Sequence, residues 1–150
     1  MTVIRDKNAN IFRLDVDMIV NPVNCVGVMG AGLAKAFSEH FPAMVPKYKQ
    51  DCKRGILAIG EPTVYDRGSD ETPRYVVNFP TKHHWRNASD IAWIQCGLVG
   101  LREIINDRGV DSVAIPALGC GLGGLDVEQV YDAVRAWLLC DNDVDVLFIG

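Results

Sequence analysis

Two glycine-rich stretches constrain this chain more than any other feature, because each lies between an apolar run and a run of helical periodicity. The first is Asn21-Pro22-Val23-Asn24-Cys25-Val26-Gly27-Val28-Met29-Gly30-Ala31-Gly32. The second is Pro116-Ala117-Leu118-Gly119-Cys120-Gly121-Leu122-Gly123-Gly124-Leu125-Asp126. Glycines so spaced free the backbone for unusual dihedrals and let N–H groups approach a ligand closely. A helix opening directly after such a turn adds the positive end of its dipole, so an anionic diphosphate is a natural guest. Taken alone, either loop is equally a flexible turn. Two in one chain suggest opposite walls closing over one extended phosphate ligand.

Around these loops, β-rich and helical runs alternate. Residues 3–6 and 17–22 read as strands, and 32–40 as a helix stopped by Phe41-Pro42. A second helix is predicted over 46–54, ending at Gly55, followed by strands over 63–66 and 74–79. Ile91, Ile94, Leu98, Leu101 and Ile105 repeat at helical spacing, with Gly109 closing that helix. A short strand over 113–115 follows. Asp126 with Gln129 resembles a capping box opening a helix that carries Val130, Val134, Trp137 and Leu138, and 144–149 reads as the last strand. This alternation predicts an α/β layer architecture with a largely parallel sheet, with 1–150 as one domain. Ligands in such folds sit at the carboxyl ends of strands, where both glycine loops fall.

Composition excludes several classes. At 150 residues the chain is the usual size of one domain, and a net charge of −4 gives no general attraction to nucleic acid. Any nucleic-acid contact must come from a local patch. No apolar run approaches the roughly 18 residues needed to span a bilayer, and the first residues, with Arg5, Asp6, Lys7 and Asn10, are too polar for a signal peptide. The five cysteines, Cys25, Cys52, Cys96, Cys120 and Cys140, are odd in number and form no Cys-x-x-Cys pair. They read as reduced thiols of a cytoplasmic protein, mostly buried as small hydrophobes.

A third loop, Asn78-Phe79-Pro80-Thr81-Lys82-His83-His84-Trp85-Arg86-Asn87, gathers cations and an aromatic ring after a strand. Lys82 suits a nucleophile or a proton carrier. Trp85 can stack on a base while Arg86 meets a phosphate, and His84 lies beside them. The bland reading is a half-buried tryptophan among solvated charges. With His40 as the remaining histidine and no paired ligand spacing, His83 and His84 make a poor metal site, and no metal or cofactor is expected. Gly119, Gly121 and Gly124 formally satisfy G-x-G-x-x-G, but only about 25 residues follow, too few for a nicotinamide-binding Rossmann unit. Cys120 has no evident base nearby in sequence, so packing is its expected role. Asn24 can donate and accept, which suits a pair of ribose hydroxyls.

Read together, Asn10-Ile11, the run from Asp17 to Asn24, Gly27 to Gly32 and Pro116 to Gly124 resemble the macrodomain family over essentially the whole chain. Asn78 to Arg86 is the most specific element and resembles the DarG-like antitoxin branch, related to the terminal ADP-ribose protein glycohydrolase. The resemblance implies a three-layer α/β/α fold around a central mixed, largely parallel sheet, and ADP-ribose as ligand, with Asn10 accepting from the adenine amino group and Ile11 beside it. Asn24 would face the distal ribose. Gly30, Ala31 and Gly32 would line the phosphate and ribose channel, and Gly119, Cys120, Gly121, Leu122 and Gly123 would wrap the diphosphate. Lys82 would lie near the anomeric carbon, with His84, Trp85 and Arg86 engaging nucleic acid. The implied activity is removal of ADP-ribose from thymine in single-stranded DNA, by a monomer countering a cognate ADP-ribosyltransferase toxin. Antitoxins of this branch commonly carry a further carboxyl-terminal region.

One departure stands out. The protein glycohydrolase pairs its lysine with an aspartate in the second glycine loop, where this chain has Gly123. Either Lys82 acts with water and backbone groups alone, or another acid such as Asp126 intrudes, although Asp126 is more simply a helix cap. Two other functions share the pocket: hydrolysis of ADP-ribose esters on protein glutamate or aspartate, and non-catalytic reading of ADP-ribose.

Overall fold

The computed structural model describes residues 1–150. Six strands form one sheet: β1 (Thr2–Asp6), β2 (Met18–Asn24), β3 (Thr63–Asp66), β4 (Tyr75–Lys82), β5 (Ser112–Pro116) and β6 (Asp145–Ile149). Four α-helices connect them: α1 (Gly32–His40), α2 (Val45–Lys53), α3 (Ile91–Arg108) and α4 (Val127–Trp137). The spatial order is β1-β6-β5-β2-β4-β3, with every pairing parallel except the edge pair β3–β4. The expected mixed, largely parallel sheet is the one observed.

Strand alternation sorts the core into two layers. Val20, Val77, Ile115 and Phe148 face α3 and α4 in the larger cluster, joined by Ile94, Leu98, Leu101 and Ile105 from α3. Ile19, Val76 and Ala114 face the opposite side and pack on Phe37 of α1 and on Met44. Strands buried on both faces explain why β2 and β4 read as continuous apolar runs rather than alternating ones. No helix is long and apolar enough to cross a membrane.

The helix ends follow local chemistry. Asp90 caps α3 by accepting from the Ala92 N–H at 2.9 Å, and Gly109 closes it in the left-handed region at φ 63°. Asp126 caps α4 through the Glu128 N–H at 3.2 Å. The expected reciprocal bond from Gln129 is not made, so the capping box is only half there. Trp137, expected on the buried stripe of α4, is half-exposed. It ends the helix at the margin of the face defined by Val130, Val134 and Leu138. The thiols also differ from expectation. None of the five is fully buried, and Cys96 is exposed because it lies on the face of α3 away from Ile94 and Leu98.

The sheet opens at one place. Parallel pairing of β2 with β5 covers only Met18↔Val113 and Ile19↔Ala114, although both strands continue. From there the chain leaves β2 towards α1 on one face and leaves β5 towards α4 on the other. This is the strand-order reversal at which ligands enter open α/β sheets. On the side of α3, Gly97 brings the helix onto the Phe79 ring so closely that an added Cβ would overlap three ring carbons. Gly97→Ala is therefore expected to destabilise the fold by about 1–2 kcal/mol. Overpacking of a buried ring (about 1–3 kcal/mol) outweighs the helix-propensity gain of about 0.5–1 kcal/mol. Urea denaturation measures the difference.

Candidate functional site

A cavity of about 810 Å³ fills the crevice between β2 and β5. Such a volume lies in the range of small-molecule and cofactor sites. Its floor is apolar, from Val23, Pro116, Ala117 and Ile149. Val28 and Gly30 to Ala34 form one wall, Gly119 and Gly121 to Gly123 the other, and Thr81, Lys82 and Trp85 close one end. All three loops singled out by sequence thus converge on one space.

The first wall is the amino end of α1. Ala31 occupies the cap position with no side-chain hydrogen bond, whereas α3 and α4 are both capped by aspartate. The first amide of α1 to find an acceptor is that of Lys35, bonded to the Ala31 carbonyl at 3.2 Å. The N–H groups of Gly32, Leu33 and Ala34 have no partner in the protein. Free amides and an uncapped helix dipole beside a cavity have the chemistry to receive an anion. The missing cap was readable in the sequence, since no Ser, Thr, Asp or Asn precedes Gly32.

The second wall supplies matching donors. Cys120, Gly124 and Leu125 bond to the carbonyls of Ala117, Gly121 and Gly119 within tight turns, leaving the amides of Gly121, Leu122 and Gly123 uncommitted. Gly123 is a close-approach position. A Cβ there would collide with Ser89 Oγ and the Gly119 carbonyl oxygen, and one at Gly119 would meet Leu125 and Ser89. With this backbone no aspartate fits at 123. Asp126, the other acid considered, is occupied in capping α4. No carboxylate lines the cavity, and Lys82 is the one ionisable side chain that does.

The loops are fastened to each other. The Cys25 N–H donates to the His83 carbonyl at 2.9 Å, joining the first loop to the third, and the Ser89 N–H donates to the Gly123 carbonyl at 2.9 Å, joining the third to the second. Lys82 ends β4 opposite Asn24, where the register shifts by a bulge between Val23 and Asn24. It is half-buried and makes no ion pair. Trp85, 46% exposed, stands at the rim with the Arg86 guanidinium 4.6 Å from its ring centroid. His84 tilts against Trp85 and accepts the Arg86 N–H through Nδ1, while His83 meets the edge of Trp93. Neither histidine nor Arg86 lines the cavity itself.

Several residues expected at the ligand also have contacts within the protein. Asn24 lines the cavity but cannot both donate and accept there. Its Oδ1 already accepts from the amides of Val26 (3.1 Å) and Val28 (3.3 Å) and from the Tyr48 hydroxyl (2.9 Å), and its Nδ2 donates to the Val28 carbonyl (2.7 Å). One N–H remains. Asn10 and Ile11 lie outside the lining. Asn10 Oδ1 accepts the Phe12 N–H at 3.0 Å to cap a single 3-10 turn, and Ile11 is buried in the core beside α1. Cys120 is also absent from the lining. Burial pushes its thiol up to about 11, and Sγ contacts the Leu118 carbonyl at 3.6 Å, an arrangement for packing rather than attack. Tyr48, Leu33 and Ala34 were not anticipated from sequence.

Known proteins share this fold. The Macro domain family matches residues 20–134. A DNA ADP-ribosyl glycohydrolase of Mycobacterium tuberculosis is 46% identical over 140 residues, 93% of this chain. The chain spans about 40% of the length of the curated relatives it matches in this way. The solved macrodomain of Mycobacterium tuberculosis DarG superposes with a TM-score of 0.93 at 39% identity, covering 99% of this chain and 98% of that one. Thermosipho africanus DarTG in complex with ADP-ribose superposes at 0.85 with 33% identity, covering 94% of this chain and 40% of that one.

If the second wall holds a phosphate, Gly123→Ala must displace that wall from Ser89. The variant is expected to bind ADP at least tenfold more weakly by calorimetry, with a lowered melting temperature. Unchanged affinity would remove the second loop from the anion site. With two glycine turns and a lone lysine around one crevice, and with these relatives, the chain belongs to the macrodomain family, on the branch of the DarG macrodomains.

Proposed function

We propose that this chain is the catalytic macrodomain of a hydrolase that releases ADP-ribose from thymine in single-stranded DNA. The observation that carries the reading is Lys82, the one ionisable group lining a diphosphate-sized cavity, with Trp85 at the adjoining rim. The names of the relatives at 41–46% identity, all DNA ADP-ribosyl glycohydrolases, point the same way.

In this reading the amides of Gly32 to Ala34 and of Gly121 to Gly123 hold the diphosphate. That leaves the distal sugar beside Lys82, and Asn24 donates its free N–H to a ribose oxygen. Asn10 and Ile11 serve the adenine end, Asn10 through the lone pair of Oδ1 that Phe12 leaves free. Gly30 and Ala31 lie along the channel, with Leu122 over the phosphates, and Cys120 supports the turn from behind. Trp85 stacks on a base, and Arg86 and His84 meet the flanking strand.

Hydrolysis consumes one water, whose hydroxyl ends on the anomeric carbon and whose proton ends on the departing base. Lys82 has two ways to assist. As a free amine it attacks the anomeric carbon, and the adduct, opened to an imine, is resolved by water. As an ammonium it protonates the leaving base while water attacks. Borohydride reduction during turnover traps protein-bound ADP-ribose in the first case alone. Fixed binding of the diphosphate contributes by holding the sugar in reacting position.

The lack of a lining carboxylate favours one rival, a reader that binds ADP-ribose without turnover. Release of ADP-ribose from modified oligonucleotide separates the two, and modified protein run in parallel tests ester hydrolysis. Lys82→Ala is expected to slow release by 10²-fold or more, the usual share of a proton carrier or nucleophile. Equal rates in wild type and variant would take Lys82 out of the mechanism. Trp85→Ala should raise KM for oligonucleotide and leave ADP-ribose affinity unchanged. The five free thiols fit the reducing cytoplasm. The name of a Thermosipho africanus relative joins the glycohydrolase to a DNA ADP-ribosyl transferase, so such a toxin is the partner we assign.

A further inference from the structure

Tyr48 lies on α2, which contributes nothing to the cavity lining, and it is fully buried against Val23 and Leu57. A phenylalanine would fill that apolar space equally well, so the hydroxyl calls for a separate explanation. It reaches the Asn24 carbonyl oxygen at 2.8 Å and Asn24 Oδ1 at 2.9 Å, sharing one hydrogen between them. We infer that Tyr48 is a positioning residue for Asn24: its hydroxyl, with the Val26 and Val28 amides, turns the Asn24 carboxamide so that its single uncommitted N–H serves the ligand's distal ribose.

The assignment of the amide is fixed by its neighbours. Were the carboxamide flipped, Nδ2 would face two amide N–H groups and the phenol, and Oδ1 would face the Val28 carbonyl. The bonds to the Val26 and Val28 amides and to the Val28 carbonyl would all be lost. The Tyr48 contact is the shortest that Oδ1 makes, and the two amides stand farther off at 3.1 and 3.3 Å. The main chain needs the same support. The β2–β4 register breaks between Val23 and Asn24, and the Asn24 carbonyl is met there by Tyr48, with the Cys52 thiol behind at 4.0 Å. Burial raises the Tyr48 phenol far above its ordinary range, so the hydroxyl keeps the proton it donates at neutral pH.

This rests on the reading that the cavity holds ADP-ribose with its distal sugar at Asn24, and it makes a narrower demand. Tyr48 must affect recognition of the distal ribose and not of the diphosphate. ADP, which lacks that sugar, is the internal control.

Calorimetry with ADP-ribose and with ADP on wild type, Tyr48→Phe, Asn24→Ala and the double variant tests it. Tyr48→Phe is expected to weaken ADP-ribose about tenfold and leave ADP unchanged, and the double variant should match Asn24→Ala, because the hydroxyl acts through the amide. Wild-type ADP-ribose affinity in Tyr48→Phe, parallel loss of both ligands, or additive losses in the double variant would each overturn the inference. Should Tyr48→Phe fail to fold, the side-chain amide resonances of Asn24 in the wild type still decide. ADP-ribose must shift them and ADP must not, and any other pattern overturns the assignment. Wild type binding neither ligand is a distinct failure, which overturns the cavity reading and the inference together.

Discussion

Six backbone amides, three at the start of α1 and three in the turn after β5, have no acceptor inside the protein, and they face one crevice. Amides of this kind, at a helix start and in glycine turns, are satisfied by water or by a ligand. The sheet brings these amides together because β2 and β5 are neighbours that stop pairing at Ile19–Ala114 and send their chains to opposite faces. An anion between the two turns would satisfy both sets of donors at once. The helices α3 and α4 carry aspartate caps, whereas α1 opens uncapped beside the crevice.

The chemistry end of the crevice depends on this same framework. The third loop is hydrogen-bonded to the first through His83 and to the second through Ser89, so Lys82 and Trp85 are placed relative to the anion site by backbone contacts on both sides. Gly123 belongs to that fastening. The space a side chain would occupy there is filled by Ser89 and the Gly119 carbonyl, so glycine at 123 is built into the packing.

Much of the fold was legible in the sequence. The limits of α1, β3 and α3 follow from Phe41-Pro42, from the turn-rich stretch after Asp66 and from Gly109, each a local signal read over a few residues. Both glycine loops and the Lys82–Arg86 loop could be singled out as candidates because glycine runs between strand and helix, and clustered cations beside an aromatic ring, are local signals. What stayed hidden depends on contacts between distant segments. Tyr48 looks like one more aromatic on an amphipathic helix, and nothing local tells that its hydroxyl meets Asn24. Asn24 looks like a free amide, yet its oxygen is consumed by its own loop. Gln129 at the right spacing from Asp126 does not close a capping box, since spacing permits that bond without requiring it.

The most direct test of the central claim is a titration with ADP followed by amide resonances in ¹⁵N-labelled protein. The account predicts that Gly32, Leu33, Ala34, Gly121, Leu122 and Gly123 shift together, with one affinity, because one diphosphate bridges the two turns. Shifts confined to a single turn, or shifts elsewhere with these six silent, would contradict it.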